Sequence, residues 1–130
     1  MKALRIYAGA KALQTLKEQG GLRPEQVRVI PAAAGGPKGL MLLRLDQFLF
    51  GEWLRNCRAP LHLVGASIGA WRMATACLRD PVPAIQRLEH DYIHQHFEPP
   101  PGQRKPSAHQ VSEAFAQSLQ TFYDGRVSEV

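Results

Sequence analysis

Cysteine, long apolar runs and clustered charge are all scarce in this chain of 130 residues. Only Cys57 and Cys77 are present, and neither lies in a C-x-x-C or metal-ligand spacing. This excludes a disulfide framework and a cysteine-rich metal centre. We expect both thiols to be small buried hydrophobic side chains in a reducing compartment, so the predicted location is the cytoplasm.

The apolar stretches are too short to cross a lipid bilayer. Residues 40–43 and 61–66 form the longest ones, whereas a membrane-spanning helix needs about 20 apolar residues. The first 20 residues alternate apolar and charged side chains and lack the apolar core of a secretion signal. With 45% hydrophobic and 21% charged residues, the composition is that of an ordinary globular domain, so one hydrophobic core is expected.

Basic charge is in excess but is not concentrated. The formal net charge is +5, and Arg104-Lys105 forms the one short basic cluster. No motif that combines basic and aromatic residues accompanies this charge, which argues against nucleic-acid binding. The scattered positive charge favours peripheral contact with an anionic membrane surface. A solvated basic surface without a partner is the alternative, and the oligomeric state stays unknown from the sequence.

Hydrophobic periodicity divides the chain into alternating strands and helices. Short apolar runs at 27–30 and 61–64 predict strands, and each is followed by a glycine-rich turn and a helix-compatible segment. Strand, turn and helix occurring twice favour an α/β fold with a parallel sheet between helices. The predicted helices cover 4–18, 38–56 (buried on most of its circumference), 68–78, 83–97 and a last segment capped by Ser107, with a proline-rich loop at 98–106.

The first motif with chemical meaning is Gly65-Ala66-Ser67-Ile68-Gly69, which matches G-x-S-x-G between a predicted strand and a predicted helix. In hydrolases this context places the serine on a strained strand-to-helix turn, with its Oγ exposed at the carboxyl end of the sheet. Gly65 and Gly69 supply the small residues that the turn needs. The pattern predicts Ser67 as a nucleophile, and the simpler interpretation is a tight turn in which its hydroxyl caps the helix.

A second glycine-rich turn, Gly35-Gly36-Pro37-Lys38-Gly39, also lies after a strand and before a helix. Glycine N–H groups can approach an oxyanion without interference from a Cβ atom, so Gly35 and Gly36 are predicted donors, with the Ile68 N–H as a third. Lys38 either adds positive charge at the rim of this oxyanion hole or pairs with a carboxylate. A phosphate-binding loop competes with this interpretation, but the G-x-x-x-x-G-K-[ST] spacing is absent.

Together the two motifs resemble those of the patatin-like phospholipase family, in which a loop of the form G-G-G-x-[RK]-G precedes a G-x-S-x-G turn. The resemblance covers about residues 27–80, and Ala34 stands at the position of the family's first glycine. It implies a three-layer α/β/α fold and hydrolysis of lipid acyl esters by a Ser–Asp dyad, without a cofactor. Ser67 would attack the ester carbonyl while the Gly35 and Gly36 N–H groups bind the oxyanion.

The aspartate of that dyad is not evident in the chain. In the family it belongs to a D-G-[GA] motif after a later core strand, whereas Asp124-Gly125 follows a helical pattern and precedes Arg126. An α/β domain of this type also needs more core strands than two. We therefore expect residues 1–130 to be the N-terminal part of a patatin-like domain, inactive alone, with the acid beyond Val130.

Several alternatives stay open at the level of sequence. A Ser–His–Asp triad would need a late histidine, for which His109 is the candidate, and an acyltransferase would share the first half-reaction. His90 and His94 have the helical spacing of a zinc site, but they face away from the apolar side, so no metal is expected. His96 is expected to pack nearer the apolar side. A non-catalytic domain that binds a lipid surface or a protein is the last alternative.

Overall fold

The computed structural model describes residues 5–130, and within that range the chain is a mixed structure of helices and a small parallel sheet. The α/β class expected from the alternating pattern is confirmed at this level. In chain order the main elements are α1 (Ala10–Gln19), β1 (Val29–Ala32), a 3-10 helix (Gly36–Leu42), α2 (Leu43–Phe48), a π-helical turn (Leu49–Trp53), β2 (His62–Gly65), α3 (Ile68–Ala76), α4 (Pro81–His94) and α5 (Ala108–Tyr123).

The two strands pair in parallel along their whole length. Val29 lies opposite His62 at the start of the pair, and Ala32 lies opposite Gly65 at its end. The Ala66 N–H donates to the Ala32 carbonyl over 3.1 Å and closes the ladder. The two glycine-rich turns therefore leave the sheet side by side at the same edge.

Strand β1 is displaced by two residues from the predicted run at 27–30, because Pro31 lies inside the strand instead of ending it. Arg28 and Ala32 accept hydrogen bonds from β2, so the backbone of these even-numbered positions faces the partner strand. The nitrogen of Pro31 then faces the outer edge, where a missing N–H costs no ladder bond.

The segment predicted as one buried helix over 38–56 is continuous but not uniform. It begins as a 3-10 helix at Gly36, becomes α2 at Leu43 and ends in the π-helical turn. Leu43, Phe50 and Leu54 are buried, whereas Met41 is 83% exposed, so the expectation of burial on most sides was wrong. The apolar residues cover most of the circumference, but only the face toward α3 and α4 meets other elements.

The core lies where α2, α3 and α4 pack together on one face of the sheet. Its largest fully buried side chains are those of Leu43, Ile85, Leu88 and Thr75. The outer face of the sheet has a different character, because Val29 and Val64 are 51% and 57% exposed. The described residues thus cover one face of the sheet more fully than the other.

The remaining boundaries follow local signals. Helix α1 begins at Ala10 after the extended Gly9, later than predicted, and it ends at Gly20 in the left-handed conformation. Leu4, the first residue of the helix predicted over 4–18, lies outside the described residues. Ser107 caps α5 as expected, with its hydroxyl accepting from the Gln110 N–H over 3.2 Å. Ile93, the residue before the end of α4, is 60% exposed.

Two further expectations concern the environment of the chain. Cys57 and Cys77 are unpaired thiols that are half-buried, rather than the fully buried side chains expected from the sequence. In residues 5–130, no helix has the length and apolar character needed to cross a bilayer.

Candidate active site

The backbone of Ser67 has an unusual conformation, with φ of 54° and ψ of −128°. It is the one residue other than glycine with positive φ in the described part of the chain. The Gly69 N–H donates to the Ala66 carbonyl over 3.0 Å, so residues 66–69 form a tight turn of type II′. Glycine normally occupies this first central position, because a Cβ atom there costs about 1–3 kcal/mol.

The glycines on each side of this turn are required by close backbone approach. A Cβ atom at Gly65 would lie 2.5 Å from the Ala70 Cα, and one at Gly69 would lie 2.6 Å from the Ala32 carbonyl carbon. Neither distance can be relieved by rotating a side chain, since backbone atoms stand in the way. This supports the prediction that the turn needs glycine at positions 65 and 69, because neighbouring backbone atoms leave no space for a Cβ atom.

The Ser67 hydroxyl does not cap helix α3. Ser67 is the residue before α3, but its side chain makes no capping hydrogen bond, and the residue is exposed. The simpler interpretation of the motif, a serine that caps the helix, is therefore wrong. A strained and exposed hydroxyl at the carboxyl edge of a sheet has the geometry of a nucleophile.

The second glycine-rich turn starts beside the first, at the paired end of β1. Gly36 has φ of 53°, in the left-handed region that favours glycine, whereas Gly35 has φ of 175°. A Cβ atom at Gly39 would lie 2.7 Å from Ile68 Cγ2, so the loop packs directly on the residue after Ser67. The segments that follow the two turns are therefore in direct, buried contact.

The three predicted oxyanion donors have free N–H groups among the described residues. Gly36 and Ile68 are first residues of helices, where the N–H has no partner within the helix, and Gly35 donates to no protein acceptor. Lys38 is exposed and forms no ion pair with any residue in 5–130, so of its two predicted roles only charge at the rim stays open. These groups are chemically able to bind an anionic oxygen.

Gly35→Ala separates the geometry of the oxyanion loop from the stability of the fold. A Cβ atom at Gly35 would meet nothing closer than 4.0 Å, so we expect a melting temperature within about 2 °C of wild type. Reaction of Ser67 with an acylating probe should slow at least about tenfold, because the methyl group crowds the donors. Gly9→Ala, also in open space, is the control. An unchanged reaction rate would argue against Gly35 as a donor.

A small cavity of about 60 Å³ opens beside Ser67. Its other walls are Ile68, Trp71, Tyr92 and Phe115, and the Trp71 and Phe115 rings meet edge to face with centroids 5.6 Å apart. No Asp, Glu or His in the described range lines this cavity. Sequence analysis missed the three aromatic residues, although Trp71 follows Ser67 by one helical turn and could have been placed near it.

Comparison with protein-family models, with curated proteins and with solved structures finds no significant match to this chain.

The acid and base candidates considered in the sequence lie away from the serine. Asp124 lines a separate groove with Ala74, which is seven residues and about 10 Å along α3 from Ser67. His109 is exposed on α5 and lies 3.2 Å from Glu113. Neither residue lines the cavity at Ser67.

The histidine cluster on α4 does not form a metal centre with other ligands. The His90 and His94 rings stack with centroids 4.2 Å apart, and both are exposed as predicted. His96 is exposed as well, so the expectation that it packs was wrong, because α4 ends at His94 before reaching it. Over residues 5–130, no group of three or more metal-ligating side chains converges.

Two ionisable groups, Cys77 and Tyr123, lie at the C-terminal ends of α3 and α5. Burial raises the pKa of the Tyr123 phenol, and its hydrogen bond with Thr75 partly opposes that rise. Burial also raises the pKa of the Cys77 thiol. Neither group lines the cavity beside Ser67, so neither supplies a base there.

A buried ion pair connects the helices that follow the two turns. The Arg72 Nε and Nη2 donate to the two Asp46 carboxylate oxygens over 2.6 and 2.8 Å, and the residues are 5% and 2% exposed. Sequence analysis missed this pair. The available signal was Arg72, the one charged residue among the small and apolar residues of α3, since a buried charge seldom lacks a partner of opposite sign.

Proposed function

We propose that this chain carries the nucleophile and oxyanion half of a serine acyl hydrolase of the patatin-like type, with lipid acyl esters as substrates. The observation that carries the proposal is the backbone of Ser67, which holds a positive φ while its hydroxyl stays exposed and unused by the helix. Glycine would adopt this turn without strain. A serine that costs stability and satisfies no structural bond is best explained by chemistry.

In the proposed reaction, the Ser67 Oγ attacks the ester carbonyl and loses its proton to a carboxylate base. The N–H groups of Gly35, Gly36 and Ile68 receive the negative charge that develops on the carbonyl oxygen. Collapse of the tetrahedral intermediate releases the alcohol, which takes up the proton from the base. Water then gives a proton to the base and attacks the carbonyl of the acyl-serine; the Ser67 Oγ leaves and takes up that proton, and the acyl group is released as the carboxylic acid.

We place the carboxylate base of this dyad beyond Val130. Asp124 lies in another groove, and the cavity beside Ser67 is lined by apolar and aromatic side chains in the described range. The exposed outer face of the sheet, with Val29 and Val64, supports a further layer, since parallel sheets are usually covered on both faces. A D-G-G or D-G-A motif after a further strand in the same reading frame would supply the acid and complete a three-layer α/β/α fold.

Lipid substrates are favoured by the surface beside the oxyanion loop. Met41, Leu42 and Phe48 are exposed on the helical segment that starts at Gly36. Lys38 precedes them in sequence, Arg44 lies between Leu42 and Phe48, and both basic residues are exposed. Apolar side chains interspersed with cations suit peripheral contact with an anionic lipid surface, consistent with the excess of positive charge.

The test is covalent labelling by an alkyl fluorophosphonate, which reacts with activated serines. We expect the protein encoded by the whole reading frame to be labelled on the peptide that contains Ser67, as identified by mass spectrometry. Supplying a hydroxylated acyl acceptor would then distinguish hydrolase from acyltransferase. Absence of labelling in a folded protein would favour the non-catalytic, surface-binding alternative, and loss of labelling on mutation of His109 would favour the Ser–His–Asp mechanism.

The size of the cavity predicts how the site discriminates between acyl chains. A volume of about 60 Å³ is roughly that of two water molecules, so only the first carbons of an acyl chain fit without movement of the aromatic walls. Phe115→Ala should open this wall and raise the labelling rate by a long-chain alkyl fluorophosphonate at least about fivefold relative to a short-chain one. Tyr7→Ala, at an aromatic residue that is 87% exposed, is the control; an equal change in both variants would contradict the prediction.

A further inference from the structure

The ion pair between Asp46 and Arg72 joins the two halves of the proposed site. Asp46 lies on α2, in the helical segment that begins at Gly36, and Arg72 lies on α3, five residues after Ser67. Each residue therefore belongs to a helical segment that begins at one of the proposed oxyanion donors, Gly36 or Ile68. The two side chains meet in the protein interior, between α2 and α3.

The geometry of the pair is well suited to fixing the position of α2 relative to α3. Two parallel hydrogen bonds of 2.6 and 2.8 Å join the guanidinium and the carboxylate, so both distance and rotation between the helices are constrained. A lysine could satisfy the charge but not the two-pronged arrangement. Such a pair adds less to stability than to the definition of one arrangement, because burial of both charges costs solvation.

A second contact between the same two segments lies nearer the serine. The Gly39 backbone packs against the Ile68 side chain, with no room for a Cβ atom between them. The Asp46–Arg72 pair and the Gly39–Ile68 contact thus hold the two helical segments at separate points along their length. Two separated contacts suppress both sliding and rotation of one segment against the other.

We propose that Asp46 and Arg72 are positioning residues that set the oxyanion loop against the Ser67 turn. The inference rests on the proposed function for its catalytic consequence. Its structural part, that the pair fixes the relation between residues 36–39 and residues 67–69, stands independently. The pair acts through the helices, since neither side chain lines the cavity at Ser67.

The central test is the double variant Asp46→Leu/Arg72→Met in the full-length protein. Apolar side chains of similar size often replace a buried ion pair with little loss of stability, so the melting temperature should stay close to wild type. The rate of fluorophosphonate labelling at Ser67 should nevertheless fall at least tenfold. Labelling within twofold of wild type in the stable double variant would overturn the inference. Arg87→Met/Asp91→Leu, which removes an exposed pair at 3.3 Å on α4, is the matched control.

Arg72→Lys provides a second variant in case the double variant folds poorly. It keeps the charge and most of the volume but loses the second hydrogen bond, so the labelling rate should fall while the fold is retained. A rate equal to wild type in this variant would also overturn the inference.

Backbone amide spectra separate this inference from the proposed function. In either pair variant, the amide signals of residues 36–39 and 67–69 should shift or broaden, while those of α1 stay unchanged. If wild type is not labelled at all, the proposed hydrolase function fails, yet the spectra still decide the positioning role. Unchanged signals at both turns would refute that role even when Ser67 is reactive.

Discussion

Ser67→Ala and Ser67→Gly should both abolish labelling by an alkyl fluorophosphonate, but they should differ in stability in an unusual direction. Alanine keeps a Cβ atom at φ of 54°, whereas glycine removes it. Relief of this strain exceeds the entropy that glycine loses on folding, so we expect Ser67→Gly to be more stable than Ser67→Ala by about 1 kcal/mol. For a chain of this size, that corresponds to a melting temperature about 4 °C higher.

The control for this comparison is the same pair of substitutions at Ser112. This residue is exposed within α5, far along the chain from the site, where glycine should be less stable than alanine by about 1 kcal/mol. Both Ser112 variants should keep full labelling at Ser67. The order of stability is therefore expected to reverse between the two serines. If Ser67→Gly were also less stable than Ser67→Ala, the positive φ of Ser67 and the prediction based on it would be wrong.

Gly69→Ala should destabilise the fold severely, although it places a better helix former in a helix. Alanine in the first turn of α3 would ordinarily gain up to about 1 kcal/mol. Here its methyl group would lie 2.6 Å from the Ala32 carbonyl carbon and 2.8 Å from the Ala33 carbonyl oxygen. Since these are backbone atoms at the end of β1, α3 must move away from the sheet. We expect a loss of about 3 kcal/mol or more in the free energy of unfolding.

The free energies of unfolding of Gly69→Ala and Gly9→Ala, measured in parallel by chemical denaturation, check this expectation. Gly9 has φ of −63° and nothing within 4 Å of an added Cβ atom, so its substitution should change stability by no more than about 0.5 kcal/mol. Any folded fraction of Gly69→Ala should also label slowly at Ser67, because a displaced α3 carries the serine away from the oxyanion loop. Equal stability of the two variants would show that the end of β1 does not press on α3.

The strand-to-helix turns were the part of the structure most readily predicted from the sequence. Glycine patterns such as Gly65–Gly69 and Gly35–Gly39 report local backbone requirements, and these depend on a few neighbouring residues. Capping of α5 by Ser107 and the end of α1 at Gly20 were predicted for the same reason. In each case the energy that decides the conformation lies within one turn of chain.

Prediction was poorer wherever the deciding contact was distant in sequence. Pro31 was expected to end its strand, but the orientation of its nitrogen depends on which side of β1 pairs with β2. The burial of residues 38–56 was overestimated because apolar character alone does not say which faces find a partner. The cavity with Phe115 likewise depends on how α5 returns to α3 after the proline-rich loop.

The sequence by itself determined which residues could carry the chemistry: a serine between two glycines, a glycine-rich loop about thirty residues earlier, and two strands to place them. The tertiary structure alone decided that both turns emerge at the same sheet edge, that Ser67 is held at positive φ with an unused hydroxyl, and that Asp46 and Arg72 meet in the core. The physical reason is that glycine patterns encode local backbone geometry. Strand register and the partner of a buried charge are instead set by packing between segments far apart in the chain.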